Sequence, residues 1–269
     1  MTETCARSAM AEPLPGTAPT QTHWLFVEAP GRWGRDALAD CSLPDADRAV
    51  LRGLPKEWRV VLVRHRDRPL RTQQDRFVWL TTPSGDPMRW RLDAAAPVQP
   101  DRLGPGEPVR GEVIFVCCHG GRDRCCAVHG RELLGQLPGE AWECSHLGGH
   151  RFAPTAVRLS DRVLFGRLTE ESGRQVLAGE APTGHVRGPA GWPPAVQAAA
   201  AAVWRTHPYA ALAAAQVAGP VVRVTLADGS RWEASTSSAP VAARMTSCGE
   251  APQPGVAVTA AQPVRLPRA

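Results

Sequence analysis

The sequence predicts an α/β protein made of two small units in series, followed by a C-terminal hairpin and an extended tail. Three observations carry this. Short apolar runs of strand length alternate with helical stretches, and the alternation occurs twice in similar order. A segment dense in proline and glycine, residues 97–108, separates the two runs. With 269 residues and 43% hydrophobic content, the chain can bury one large core or two smaller ones, and two are expected.

The elements follow in order. Residues 1–22 read as a flexible lead; Glu3, Arg7, Glu12 and several prolines leave no apolar core for a secretion signal, so a cytoplasmic protein is expected. The N-terminal α/β unit spans 23–96. It opens with a strand from Trp24 to Glu28 and the turn Gly31-Arg32-Trp33-Gly34. Pro44 to Asp47 then starts a helix with acidic residues in its first turn and Ala49, Val50 and Leu51 on its apolar face. Arg59 to Val63 is a buried strand, and Phe77–Leu80 and Met88–Leu92 form a meander across Pro83-Ser84-Gly85-Asp86. After the linker, 97–108, a second unit spans 109–205. Glu112 to Val116 is a strand that delivers Cys117, and Cys126 to Leu137 a helix with Val128, Leu133, Leu134 and Leu137 inward. Ala141 to Ser145 is a further strand, Val157–Leu159 and Arg162–Phe165 a hairpin across Ser160-Asp161, and Thr169 to Ala178 a helix. This order resembles a thioredoxin-like domain, and the first unit loosely repeats it without the cysteines. Pro193-Pro194 opens an alanine-rich helix to Trp204. In the last segment, 206–269, Val221–Ala227 and Ser230–Ser235 pair across Asp228-Gly229, and a proline-rich tail is expected to wrap a surface.

Composition narrows the partners. The net charge is +5, Lys56 is the only lysine, and no window strings five basic residues together, so no nucleic-acid arm is expected. The scattered positive charge suits brief docking to an acidic partner protein. No apolar run is long enough to span a bilayer, and no membrane association is expected. Five of the eight cysteines fall between 117 and 144. In a reducing compartment such clustering points to metal or redox chemistry rather than cross-linking.

The chemistry is concentrated in Val116-Cys117-Cys118-His119-Gly120-Gly121-Arg122-Asp123-Arg124-Cys125-Cys126 and, further on, Cys144-Ser145-His146-Leu147-Gly148-Gly149-His150. Thiolates and imidazoles together select zinc or iron-sulfur over magnesium or calcium. These motifs resemble the sucrase/ferredoxin-like family, with its C-x8-C pair on one loop and H-x3-H pair on a later one. Cys117 and Cys126 stand at the first spacing, and His146 and His150, followed by Arg151-Phe152-Ala153, at the second. Trp24 to Gly34 and Thr246-Ser247-Cys248-Gly249 resemble further parts of the family. The resemblance implies a thioredoxin-like ferredoxin with a two-iron, two-sulfur (2Fe-2S) cluster on Cys117, Cys126, His146 and His150, carrying single electrons. It does not imply sucrose cleavage, for which no suitable carboxylate pair is found.

Physical reasoning supports the same positions. Cys126 lies at a helix start, where the dipole and the nearby Arg122 and Arg124 favour a thiolate. Gly120, Gly121, Gly148 and Gly149 are expected to let backbone N–H groups approach the inorganic sulfides. Coupling of electron to proton uptake is expected where a ligating imidazole keeps a titratable second nitrogen. Spacing alone also allows Cys118 with Cys125, and Cys144 is a further thiol; the outer pair is favoured because it preserves the family spacing. The competing readings are a zinc-stabilised interaction domain, a Rieske centre, whose box order is wrong here, and a thiol-based oxidoreductase, which lacks a C-x2-C motif. Cys5 and Cys41 are expected to be ordinary free thiols, His119 a hydrogen-bonding loop residue, and Cys248 is left open.

Overall fold

The computed structural model describes residues 3–65, 75–83 and 85–267, so Ser84 of the expected meander turn and the ends of the expected lead and tail lie outside the described residues. The first unit runs β1 (His23–Glu28), α2 (Asp45–Arg52), β2 (Trp58–Arg64), β3 (Asp75–Thr82) and β4 (Gly85–Asp93), after a short helix α1 (Cys5–Ser8). β1 pairs parallel with β2 and antiparallel with β3, which pairs antiparallel with β4. The second runs β6 (Ile114–Cys117), a π-helical turn Cys126–Gly130 continued by α3 (Arg131–Gln136), β7 (Ala141–Cys144), β8 (Ala156–Arg158), β9 (Val163–Phe165) and α4 (Glu170–Leu177). β6 pairs parallel with β7 and antiparallel with β8, which pairs antiparallel with β9. Each half therefore has the order β2-β1-β3-β4 or its equivalent β7-β6-β8-β9, the arrangement of a thioredoxin-like unit.

The halves share one sheet. β2 and β7 pair antiparallel through Val63 with Cys144 and Arg64 with Glu143, and β5 (Glu107–Pro108) and β10 (Val186–Pro189) close its two edges, giving ten strands in the order β10-β9-β8-β6-β7-β2-β1-β3-β4-β5. The order is nearly symmetric about the β2–β7 seam. One face of this sheet carries a single core from both halves, with Trp24, Phe26, Val61, Trp79, Phe115, Trp142 and Cys117 among its residues. Phe26 and Phe115 stack at 4.2 Å between centroids although their strands are three places apart. A flat sheet would hold those strands about 14 Å apart, so the sheet is strongly curled and packs on itself. The opposite face is split into a core under α2 and another under α3, α4 and α5 (Pro194–Val203).

A second, five-stranded sheet covers α5: β11 (Leu212–Ala218), β12 (Val221–Leu226), β13 (Arg231–Arg244), β14 (Gln253–Ala260) and β15 (Val264–Arg265). Half of what was expected as a wrapping tail is thus strand, because β13 runs past the hairpin and recruits β14 along its length. The segment expected as a flexible lead packs against the body instead. Cys5 is fully buried, Gln197 on α5 donates to the Ala18 carbonyl at 3.0 Å, and Glu12 is held by Arg151 and Arg244. Within the expected linker, Val98 is buried and donates its N–H to Asp47 at 3.0 Å. Among the described residues no helix is long and apolar enough to cross a membrane.

Candidate metal centre

The end of β6 sorts the competing thiols. Successive strand residues point to opposite faces, so Cys117 enters the shared core while Cys118 joins Leu133, Leu134 and Leu137 on the other side of the sheet. Cys126, at the start of the π-helical turn, returns toward Cys117, and its neighbour Cys125 faces away to Cys5 and Cys248. Gly130 makes this approach possible, since a Cβ there would run into the Cys117 carbonyl. The wider winding of the turn changes which residues face inward, and Val128, expected inward, is 51% exposed.

The ligand atoms of Cys117, Cys126 and His146 lie within 4.8 Å of one another. His150 stands beside them, its ring 4.8 Å from that of His146, but its ligand atoms do not fall within the same group. Both imidazoles bury an Nδ1 that has no hydrogen-bond partner among the described residues. A buried nitrogen left unpaired costs free energy unless something occupies it, and a coordinated metal would. The hydrogen bond from Cys126 holds the Cys117 thiol well below its usual range against the opposing effect of burial, with His146 adding to the lowering, and Cys126 is pushed up in turn. Burial pushes Cys144 and Cys118 upward, as for inert core thiols. Burial likewise lowers His150, opposed by Asp123, whose Oδ2 lies 3.8 Å from His150 Nε2. A carboxylate facing the second nitrogen of an imidazole is the usual way a metal-binding histidine is oriented.

Two arginines that the sequence reading missed hold the histidine loop. Arg59 donates to the His146 carbonyl at 2.9 Å, and Arg187, almost wholly buried, donates to the Gly148 carbonyl at 2.8 Å. Burial lowers Arg59 to about 10 and Arg187 to about 9, while thiolate character at Cys117 pulls both back up. Neither stood out in the sequence: Arg59 opens the expected strand Arg59–Val63, and Arg187 lies on β10, where no strand was expected. Arg122 is half-buried and Arg124 exposed, and Arg59 and Arg187 add positive charge that interacts with the Cys117 thiol. The glycines also have other reasons than the expected approach to sulfides. Gly148 and Gly149 have φ of +84° and +71°, a Cβ at Gly149 would meet Arg187 Nη2 at 2.7 Å, and one at Gly121 would meet the carbonyl oxygens of Trp33 and Gly34 at 2.7 Å. His119 hydrogen-bonds the Gly34 carbonyl at 2.7 Å, as a loop anchor. Trp142 packs with Trp79 and Phe77 in the core.

A cysteine pair and a histidine loop brought together at the end of a thioredoxin-like half define an α/β protein with a group that could hold a metal. The chain belongs to the Sucrase/ferredoxin-like family, whose model matches residues 14–188. That span includes Cys117, Cys126, His146 and His150 and excludes Cys5 and Cys248. No curated protein and no solved structure matches the chain.

Proposed function

We propose that this protein is a cytoplasmic electron carrier that holds a 2Fe-2S cluster on Cys117, Cys126, His146 and His150. The observation that carries the reading is the convergence of two buried thiols on His146, with the His150 ring beside it and an unpartnered buried nitrogen on each imidazole. Bound there, such a cluster would take up and release one electron at a time. The chain's own groups suit that role. Cys117 and Cys126 are closed off from water in the shared core, while His146 is half-buried and gives the site its route to the surface. Arg59 and Arg187 place positive charge where an added electron would bring negative charge, which favours reduction. Beside the 118–121 loop, a groove is lined by Arg32, Arg64 and Arg131, of which Arg32 and Arg131 are exposed. An acidic redox partner would be drawn to this side.

The compactness of the Cys117, Cys126 and His146 group also suits a single zinc ion. Purification of the full chain under anaerobic conditions separates the two readings. Iron and acid-labile sulfide in equal amounts, with a red-brown visible spectrum that bleaches on one-electron reduction, is the expected result. A colourless protein whose visible spectrum cannot be reconstituted with iron and sulfide would overturn it.

A further inference from the structure

We propose a second metal site, for zinc, formed by the thiolates of Cys5, Cys125 and Cys248 with the carboxylate of Asp123. It is separate from the cluster site and uses none of its four residues.

The four ligand atoms lie within 4.8 Å of one another and come from three parts of the chain: the start of α1, the loop before the π-helical turn, and the turn after β13. Cys125 Sγ is 3.4 Å from Cys248 Sγ, Cys248 Sγ is 3.6 Å from Cys5 Sγ, and Cys5 Sγ is 3.6 Å from Asp123 Oδ1. A tetrahedral zinc with bonds of about 2.3 Å to sulfur sets its thiolates about 3.8 Å apart. The observed spacings are within a few tenths of an ångström of that figure. They are far longer than a disulfide bond of about 2.04 Å, and pairing any two of the sulfurs would leave the third beside a carboxylate with nothing to bind. Thiolates with one carboxylate are a donor set for zinc rather than for magnesium or calcium.

The surroundings are already arranged for the ion. Asp123 accepts from the Cys125 and Cys248 backbone N–H groups, each at 2.8 Å, and from Ser247 Oγ at 3.1 Å, so its carboxylate is fixed before any metal arrives. Ala153 and Met245 pack around the thiols, and Cys248 is half-buried, which leaves an entry path from solvent. Nothing is oxidised or reduced on binding: zinc takes the place of the thiol protons, which pass to water. The ion would tie the two ends of the chain to the loop that carries Cys126. It would also bring its charge to Asp123, which faces His150 at 3.8 Å.

The test titrates the full-length, reduced protein with zinc alone, then with cobalt as a coloured substitute, and measures bound metal per chain. Expected is one zinc per chain beyond any metal in the cluster site, with the visible bands of tetrahedral cobalt–thiolate when cobalt is used. The double variant Cys5→Ser, Cys248→Ser should lose this zinc, with affinity falling by more than the roughly tenfold to hundredfold that a lost outer-shell partner costs, while the visible spectrum of the iron-loaded protein stays. The variant Cys117→Ser should do the reverse, losing that spectrum and keeping the zinc, so failure here and failure of the cluster reading are told apart. Absence of tight zinc and of cobalt–thiolate bands in wild type would overturn the proposal without any variant. So would zinc that survives the double substitution, or a Cys125–Cys248 disulfide in metal-free protein freshly purified without oxidant.

Discussion

Cys117 and Cys118 are neighbours in sequence and strangers in space, because a strand turns alternate side chains to opposite faces. Replacement by serine should follow that division. Cys117→Ser and Cys126→Ser should abolish or grossly alter the visible spectrum of the iron-loaded protein, whereas Cys118→Ser, on the opposite face, should leave it nearly intact, and so should Cys144→Ser, which shares the Cys117 face but stands outside the group of Cys117, Cys126 and His146; loss of the spectrum in the second pair alone would assign the ligands to it. The histidines make a different test, since they are neutral donors. Substituting cysteine at His146 or His150 adds negative charge beside iron and makes reduction harder. The midpoint potential should move down toward the roughly −400 mV of all-cysteine plant-type centres, from a starting value expected near about −150 mV or above. Protein-film voltammetry reads this directly, and an unchanged potential in a loaded variant would show that the replaced ring never touched the metal.

The π-helical turn is the element that brings Cys126 to Cys117, and Gly130 is the point at which it touches β6. Gly130→Ala should drive the turn off the strand end, at the cost of about 1–3 kcal/mol typical of overpacking a tight contact. Thermal unfolding should register this as a lowered midpoint, and reconstitution with iron and sulfide should be impaired more than stability alone explains. Gly135→Ala on α3, where nothing lies within 4 Å of the added Cβ, is the matched control and should be neutral or slightly stabilising.

Two guanidinium groups far apart in sequence converge on one carboxylate near the N-terminus. Arg151 and Arg244 each donate two hydrogen bonds to Glu12, at 2.7 and 2.8 Å. Burial opposes ionisation of Glu12, but these hydrogen bonds outweigh it and hold the group at about 2 against an ordinary 4.5. Its contribution to stability is therefore complete above about pH 4.5 and is lost as the pH falls from there toward 2. Glu12→Gln should cost on the order of 3 kcal/mol at neutral pH, because the buried Arg244 and the half-buried Arg151 lose their partner, and should remove the part of the acid sensitivity that belongs to this window. Chemical denaturation of both proteins between pH 2 and 7 compares them. At the same scale, the cut after residue 205 that the sequence suggests runs through a core in which α5 packs against Val222, Val224 and Trp232. A chain ending there should lose cooperative unfolding, as read by circular dichroism on heating.

Local patterns were enough for most of the strands and for the chemistry of the two motifs. Apolar runs bounded by turn residues placed β1, β2, β6 and the β8–β9 hairpin to within two residues, since period and turn chemistry act over a few residues. Donor types marked the two motifs as soft-metal chemistry whatever the fold, and the family resemblance rather than spacing alone singled out Cys117, Cys126, His146 and His150. What the sequence could not reveal depends on contacts between distant segments. The β2–β7 seam, the curl that stacks Phe26 on Phe115, and the arginines at 59 and 187 have no local pattern. Cys5 read as an ordinary free thiol for the same reason, since its neighbours Cys125 and Cys248 lie 120 and 243 residues away and only the folded chain brings them together. The sequence by itself determined which atoms could bind a metal. The tertiary structure decided which of them meet, because strand alternation, helix winding and the return of the chain ends turn each thiol toward one set of neighbours and away from the rest.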